Sequence, residues 1–432
     1  MGDSISIFWF RRDLRLVDNV GLYHALASGK PILPLFIFDT QITNLLNVED
    51  ARISFIYKQL RTMHEFLQKD GAGMCIKQGV VSAVFEELIA TYRIAEVYTN
   101  HDYEPYAKER DQAIKSLLAA HNIPLNSYKD QVIFERDEIT KKDGLPYTIY
   151  SPYAKQWMLK LTASSYSNRD TQNDKTNFTK INFPFPTLNA LGFRSSKAKV
   201  LDFDLSDNVI NNYADVRDFP AIDQTSKLSP HLRFGTISIR KCVQKAIDCK
   251  DKTFLKELIW REFFMQILYH FPKVVNNNFK SKYDGIVWRN NKGEFDRWCR
   301  GMTGYPMVDA GMRELNKTGY MHNRVRMVVA SFLCKHLLID WRWGAAYFAQ
   351  RLVDYDLSAN NGNWQWAAGT GCDAAPYFRV FNPLIQAKKF DPQLKYINYW
   401  IPELGTAKYP SPIVEHKMAR LRAIETYKRG LE

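Results

Sequence analysis

"SISIFWFRRDLRLVDNVGLYHALASGKPILPLFIF", residues 4–38, sets two short apolar runs, 4–10 and 31–38, on either side of a segment with helical spacing at 18–29. The two runs read as strands and the segment between them as a helix. The alternation then repeats. MCIKQG (74–79), AEVYTN (95–100) and LNSYK (125–129) read as further strands, and 50–70, 80–93 and 104–121 as helices. Regular strand–helix alternation predicts a parallel, doubly wound α/β sheet that takes ligands near the carboxyl ends of its strands. No GxGxxG or GxxxxGK[ST] follows any of the strands, so neither a Rossmann nor a P-loop nucleotide site is supported.

Working outward, residues 130–204 carry ITKKDGLPYTIYSPY and SSYSNRDTQNDKTNFTKINFPFP, the Asn, Thr, Ser and Pro content of a linker, with a short helix near 152–163. Beyond 205 the spacing turns helical, at 236–249, 251–270, 305–316, 321–340, 342–352 and 413–428. The expected organisation is an α/β domain at 1–129, a linker at 130–204 and an all-α domain at 205–432.

Charge and aromatic content fall in the same half. Of a net +13, residues 251–432 supply +10, from 27 Lys and Arg against 17 Asp and Glu, and they hold eight of the ten tryptophans. Basic charge suits a polyanion, because each phosphate neutralised releases a condensed counterion, and aromatic faces suit stacked bases. A large aromatic core would account for the tryptophans equally well. The best apolar run, 327–341, contains Lys335, His336 and Asp340 and is too short to span a bilayer. Six scattered cysteines form no CxxC pair, so no disulfide framework or zinc site is indicated, and the start of the chain lacks the layout of a secretory signal. A cytoplasmic protein is expected.

Four stretches could carry chemistry, one of them the polar start of the 321–340 helix, where Asn323, Arg324 and Arg326 would be poised for a ligand. TSKLSPHLRFGTIS (225–238) sets Thr225, Ser226 and Ser229 just before a helix start, with Ser229 read as the N-cap and Pro230 as the first helical residue. Such an end suits a phosphate, and it suits plain capping too. Glu257, Trp260 and Arg261 share one face of the 251–270 helix, where an aromatic plate beside a carboxyl can hold a base. The block DYDLSANNGNWQWAAGTGCDAAPYFRVFNP (354–383) has Asp373 as its only charge between Asn360 and Phe378, yet it combines two tryptophans with neutral amides. Bulky aromatics beside a few polar groups suit an enclosed aromatic ligand.

These blocks, with WFRRDLRL (9–16), ELIWREFF (257–264), GYPMVDAGMREL (304–315) and TGYMHNRVRM (318–327), resemble the photolyase/cryptochrome family, and within it most of all the class I cyclobutane pyrimidine dimer photolyases. The resemblance implies FAD, active in its reduced form, held by Tyr213, Thr225, Ser226, Lys227, Leu228, Ser229, Arg261, Arg326, Asp354, Asp356 and Asn360, with Arg326 paired to Asp354 and Asn360 at flavin N5. It implies that Trp364, Trp341 and Trp288 pass electrons to the flavin. Glu257, Trp260, Arg261, Asn323, Arg324, Met327, Trp366 and Arg379 would take UV-damaged DNA, Glu257 hydrogen-bonding the extruded dimer. The implied activity is light-dependent splitting of cyclobutane pyrimidine dimers, by a monomer with no membrane contact and no metal. A blue-light photoreceptor and a six-four photoproduct photolyase are the alternatives. Asn360, the absence of a long C-terminal tail, and Asn323 following His322 argue against them. Tyr106 and Ala107 stand where folate-binding members carry an Asn–Glu pair, which weakens methenyltetrahydrofolate as a second, antenna chromophore and leaves a deazaflavin, FMN or no antenna open.

Overall fold

The computed structural model describes residues 4–169, 171 and 177–432. Residues 1–3 of the expected α/β domain, and residues 170 and 172–176 of the expected linker, lie outside the described residues.

Five strands form where the sequence indicates them: β1 Ile5–Phe10, β2 Ile32–Asp39, β3 Cys75–Gly79, β4 Ile94–Asn100 and β5 Leu125–Tyr128. They make one parallel sheet in the order β3-β2-β1-β4-β5. Every residue of β1 and β2 is buried, as expected of central strands covered on both faces. The pleat sorts them. Phe8, Phe10, Phe36 and Phe38 enter one core with Leu22 and Leu60, while Ile7, Trp9, Leu35 and Ile37 enter the other with Phe85 and Leu88. Helices Val20–Ala27, Ala51–Gln68, Val81–Thr91 and Pro105–Ala120 lie between the strands in sequence.

The strand order reverses between β1 and β4, the switch point of a doubly wound sheet. A dense polar network fills its surroundings. Asn100 Nδ2 donates to Asp13 Oδ2 at 2.6 Å and to Asn19 Oδ1 at 2.8 Å. Arg15 donates to Asp130 at 2.7 Å, and Arg240 reaches both Asp130 and Asp18 at 2.9 Å. Burial alone would raise the Asp130 carboxyl, but the two guanidinium groups hold it below its usual value. The WFRRDLRL motif is thus largely a structural tie.

The chain's compact units are interleaved in sequence. One comprises Met1–Glu138, Leu159–Phe203 and Lys227–Asp248; the other Ile139–Met158, Asp204–Ser226 and Cys249–Glu432. This differs from the expected 1–129, 130–204 and 205–432. Phe178 bridges Ile32 of β2, and Phe178, Leu191 and Phe193 sit in a core of the first unit, so apolar residues within the polar tract anchor it there.

Among the described residues the second unit is helical apart from an isolated bridge between Thr140 and Pro146. Helices form at Tyr150–Lys160, Thr253–His270, Pro306–Thr318, Asn323–Ser331, Trp341–Arg351 and His416–Arg429, near the sequence expectations. The expected 321–340 helix stops early. It passes into a π-helical turn, Phe332–His336, and Leu338 adopts a left-handed φ of 49°. Several helices went unforeseen, among them Lys292–Cys299, Pro383–Phe390 and, inside the Asn- and Gly-rich block, Leu357–Ala368. The last packs against helices Thr253–His270, Asn323–Ser331 and Trp341–Arg351, and so becomes the hub of this unit. Gly362 allows the closest approach, since a Cβ there would run into the ring of Phe264.

Candidate functional site

Helix Leu357–Ala368 exists because tertiary bonds outweigh its weak propensity. Asp356 caps it, accepting from Ala359 N at 3.1 Å and from the Ser358 hydroxyl. Asn361 Nδ2 donates to Val274 O at 2.8 Å. Gln365 Nε2 donates to the same carbonyl at 3.0 Å, while its Oε1 accepts from Phe279 N at 2.8 Å. Two of the neutral amides in this block therefore staple the helix to the 272–279 segment.

Asn360 is different. It is half-buried, and its Nδ2 donates to Ala345 O at 3.1 Å, so the amide nitrogen is engaged and Oδ1 is the atom available as an acceptor. Two residues before the cap residue, Asp354 is buried and takes Arg326 Nη2 at 2.9 Å. Arg326 is fixed from its other side by Nε donating to Met321 O at 2.7 Å. Although burial opposes its charge, the Asp354 carboxylate raises the Arg326 guanidinium above its ordinary value.

Trp364 and Trp341 are buried, while Trp288 is only partly so. Trp341 Nε1 donates to Asn278 Oδ1 at 2.9 Å. The rings packed on Trp364 are Phe348 at 5.0 Å and Trp298 at 6.2 Å, and Gly344 lies so close to Trp364 that a Cβ would strike its ring. Trp298, fully buried, was not singled out from the sequence.

The residues expected to meet a nucleic-acid lesion come from three helices. Helix Thr253–His270 carries Glu257, Trp260 and Arg261; Asn323–Ser331 carries exposed Asn323 with half-buried Arg324 and Met327; Leu357–Ala368 carries half-buried Trp366. Arg324 Nη1 lies 3.6 Å from Met327 Sδ. Arg379 is exposed, with its guanidinium 5.2 Å from the Phe381 ring. One face of Trp260 is already covered, because Tyr150 stacks on it at 3.6 Å and 6°. Tyr150 belongs to the stretch expected as linker and is held by Asp373 Oδ2, 3.0 Å from its N–H. No residue pattern marked it; an aromatic residue in a polar tract was the only signal.

Two further residues were missed. Arg217 Nη1 donates to Glu257 Oε1 at 2.6 Å, with its guanidinium 5.3 Å from the Tyr213 ring. Asp218 accepts from Arg324 Nη2 at 2.7 Å. Their signal was a charged pair four and five residues beyond Tyr213, itself a candidate site residue.

The 225–229 stretch departs from the sequence reading at one point. Ser229 is the first residue of helix Ser229–Phe234, not its cap; the cap position falls to Leu228, whose side chain has no acceptor. The first-turn N–H groups are therefore not taken by a side-chain cap. Lys227 before it sits at a left-handed φ of 51°. Thr225 Oγ1 is buried with no hydrogen-bond partner among the described residues. A buried hydroxyl without a partner costs free energy unless something polar meets it, so this stretch fits a diphosphate. Within the second unit, the unpartnered Thr225 hydroxyl, the Asp354–Arg326 pair and the acceptor oxygen of Asn360 are polar groups that fit a flavin dinucleotide.

Comparison with known proteins accords with this. A family described as DNA photolyase matches residues 6–172, and the FAD binding domain of DNA photolyase matches residues 254–408. The chain is 36% identical to a deoxyribodipyrimidine photo-lyase of Synechococcus sp., over 95% of this chain and 94% of that one. It is 33% identical to that of Escherichia coli, over 98% of each. Among solved structures it is similar to a bacterial class III photolyase from Agrobacterium tumefaciens, with a TM-score of 0.90, 34% identity and coverage of 100% and 98%. An archaeal photolyase from Sulfolobus tokodaii with two FAD molecules gives 0.86, 34%, and 98% and 99%. A Synechocystis cryptochrome gives 0.86 at only 25% identity, over 99% and 100%. The class III neighbour means that the likeness carries the family and not the class I assignment.

Proposed function

This chain belongs to the DNA photolyase family, and from that premise we propose that it is a deoxyribodipyrimidine photo-lyase, a carbon–carbon lyase that uses light to split cyclobutane pyrimidine dimers in UV-damaged DNA. The observation that carries the reading is the near full-length correspondence with curated photo-lyases across both family matches. The lower identity to the cryptochrome, 25% against 34% for the photolyase structures, favours repair over signalling.

Thr225, Ser226, Lys227, Leu228 and Ser229, with Tyr213, would hold the FAD diphosphate, and Arg261, Arg326, Asp354, Asp356 and Asn360 its remainder. When bound, reduced FAD supplies the electron that, after excitation, opens the two cyclobutane bonds and is then returned, with no net oxidation. Asn360 offers a neutral acceptor toward flavin N5, which adds no negative charge beside an electron-rich ring. Trp364, Trp341 and Trp288 grade from buried to partly exposed, which supports their passing electrons inward to oxidised flavin.

On the DNA side, Arg324 and Arg379 meet phosphates, with Asn323 exposed beside Arg324. The dimer leaves the stack, aided because a damaged base pairs poorly. Trp260, held rigid by Tyr150 on one face, presents its other face to the dimer, with Trp366 and Met327 completing the pocket. Glu257, whose Oε1 already accepts from Arg217, would accept a further hydrogen bond from the dimer and hold it in place.

The six free cysteines support a reducing compartment, the cytoplasm with its DNA, and one chain carries every residue that the reaction needs, consistent with a monomer. No helix among the described residues is long and apolar enough to cross a membrane. For the second chromophore we retain a deazaflavin or FMN over methenyltetrahydrofolate. Tyr106 hydrogen-bonds Asp39 and Gln41 where folate binders use an Asn–Glu pair. The two FAD molecules of the Sulfolobus structure add FAD itself to these options.

The test is direct. Purified protein, reduced and supplied with FAD, is illuminated with a dimer-containing oligonucleotide while absorbance near 260 nm is followed. Light-dependent recovery of absorbance is expected. No recovery in light with reduced flavin bound would overturn the reading.

A further inference from the structure

Two of the charged side chains expected at the lesion, Glu257 and Arg324, are each held by one member of a consecutive pair, Arg217 and Asp218. Arg217 Nη1 donates to Glu257 Oε1 at 2.6 Å. Asp218 Oδ1 accepts from Arg324 Nη2 at 2.7 Å and from its Nε at 3.3 Å, so two donors of one guanidinium converge on one oxygen. The same guanidinium lies 4.4 Å from the Phe390 ring centroid. Asp218 also sits 3.9 Å from Arg217 Nε. The four groups sum to zero charge, and each keeps some solvent exposure, from 18% for Arg324 to 34% for Glu257.

We propose that Asp218 is a positioning residue for DNA recognition: by docking Arg324 against Phe390, it sets how strongly the protein prefers a dimer-containing strand over an intact one. This rests on the repair reading. Two opposed effects of the one carboxylate make the case. An intact duplex meets Arg324 as a cation already neutralised, so the contact releases little counterion and adds little affinity. A strand with an extruded dimer brings its flanking phosphate to a fixed place. There a guanidinium whose Nε edge is pinned by Asp218, and whose face is pinned by Phe390, binds with little rotamer freedom left to lose. Removing the carboxylate strengthens the first complex and loosens the second.

The experiment titrates reduced, FAD-loaded protein with one duplex, with and without a single thymine dimer, over a range of salt. In Asp218→Asn, affinity for the intact duplex should rise and its salt slope steepen by about one. The preference for the dimer duplex should fall roughly fivefold, the size of one partly exposed charge contact. Asp218→Glu should restore most of the preference. In an Arg324→Met background, the Asp218→Asn change should leave the preference where it is, which tests the pairing itself. Asp218→Ser, scored the same way, replaces Asp218→Asn if that variant loses FAD. An unchanged preference in Asp218→Asn, or an equal fall in the Arg324→Met background, overturns the proposal. A wild-type protein with no preference at all overturns the repair reading and this inference with it. A wild-type preference that the substitution leaves intact overturns this inference alone.

Discussion

At the scale of single residues, chemically alike side chains do different work. Asn360, Asn361 and Gln365 share one helix, yet Asn361 and Gln365 spend their amides on backbone groups at 274 and 279, while Asn360 is anchored through its nitrogen alone. The sequence shows that amides cluster there, but not which of them is structural, because that depends on which carbonyls fold back within reach. The tryptophans divide in the same way. Trp364 is packed by Phe348, Trp298 and Gly344, so Trp364→Phe keeps most of the contact while removing the indole. We expect that variant to lose light-driven reduction of oxidised flavin but to repair normally once the flavin is reduced chemically, followed by flavin absorbance and by dimer loss. Photoreduction at the wild-type rate would place the electron route elsewhere.

At the scale of elements, the π-helical turn Phe332–His336 buries a lysine. Lys335 Nζ lies 2.8 Å from Ala368 O, 3.2 Å from Tyr377 O and 3.6 Å from the Tyr427 ring centroid. It thereby ties the carbonyl end of helix Leu357–Ala368 to the segment leading to Arg379. Burial pushes its ammonium down to about 7. The sign follows from proton counting. Between about pH 7 and the unfolded value near 10.4, the unfolded chain binds one more proton than the folded one, so stability rises with pH across that window, by at most roughly 1.4 kcal/mol per pH unit. Below pH 7 the contribution is lost. The thermal midpoint of wild type should therefore climb relative to Lys335→Met from pH 7 toward 10, and a constant difference between the two would mean that the ammonium titrates normally. The helix that this lysine terminates was not legible beforehand. Ser, Asn and Gly dominate its first turns and favour caps and turns over helix interiors, and the bonds that overrule them come from residues some ninety positions away.

At the scale of the molecule, the charge excess on 251–432 bears on partners rather than on fold. If that half meets several phosphates, the affinity for dimer-containing DNA should fall with salt along a log–log slope of several units; a flat dependence measured by titration would remove DNA backbone contact from the account. The five strands and most of the long helices were readable from the sequence because period-2 and period-3.6 apolar patterns are local properties of the chain, and the family could be read from motifs such as TSKLSPHLRFG and the 354–383 block. What the sequence could not supply is whatever depends on distant residues meeting. Only the tertiary structure decided that 159–203 joins the sheet's unit while 139–158 joins the helical one, that Tyr150 stacks on Trp260, and that Asp218 holds Arg324. A side chain's spacing announces the element it belongs to, whereas its partner is chosen by packing and desolvation across the whole fold, and no local pattern encodes that choice.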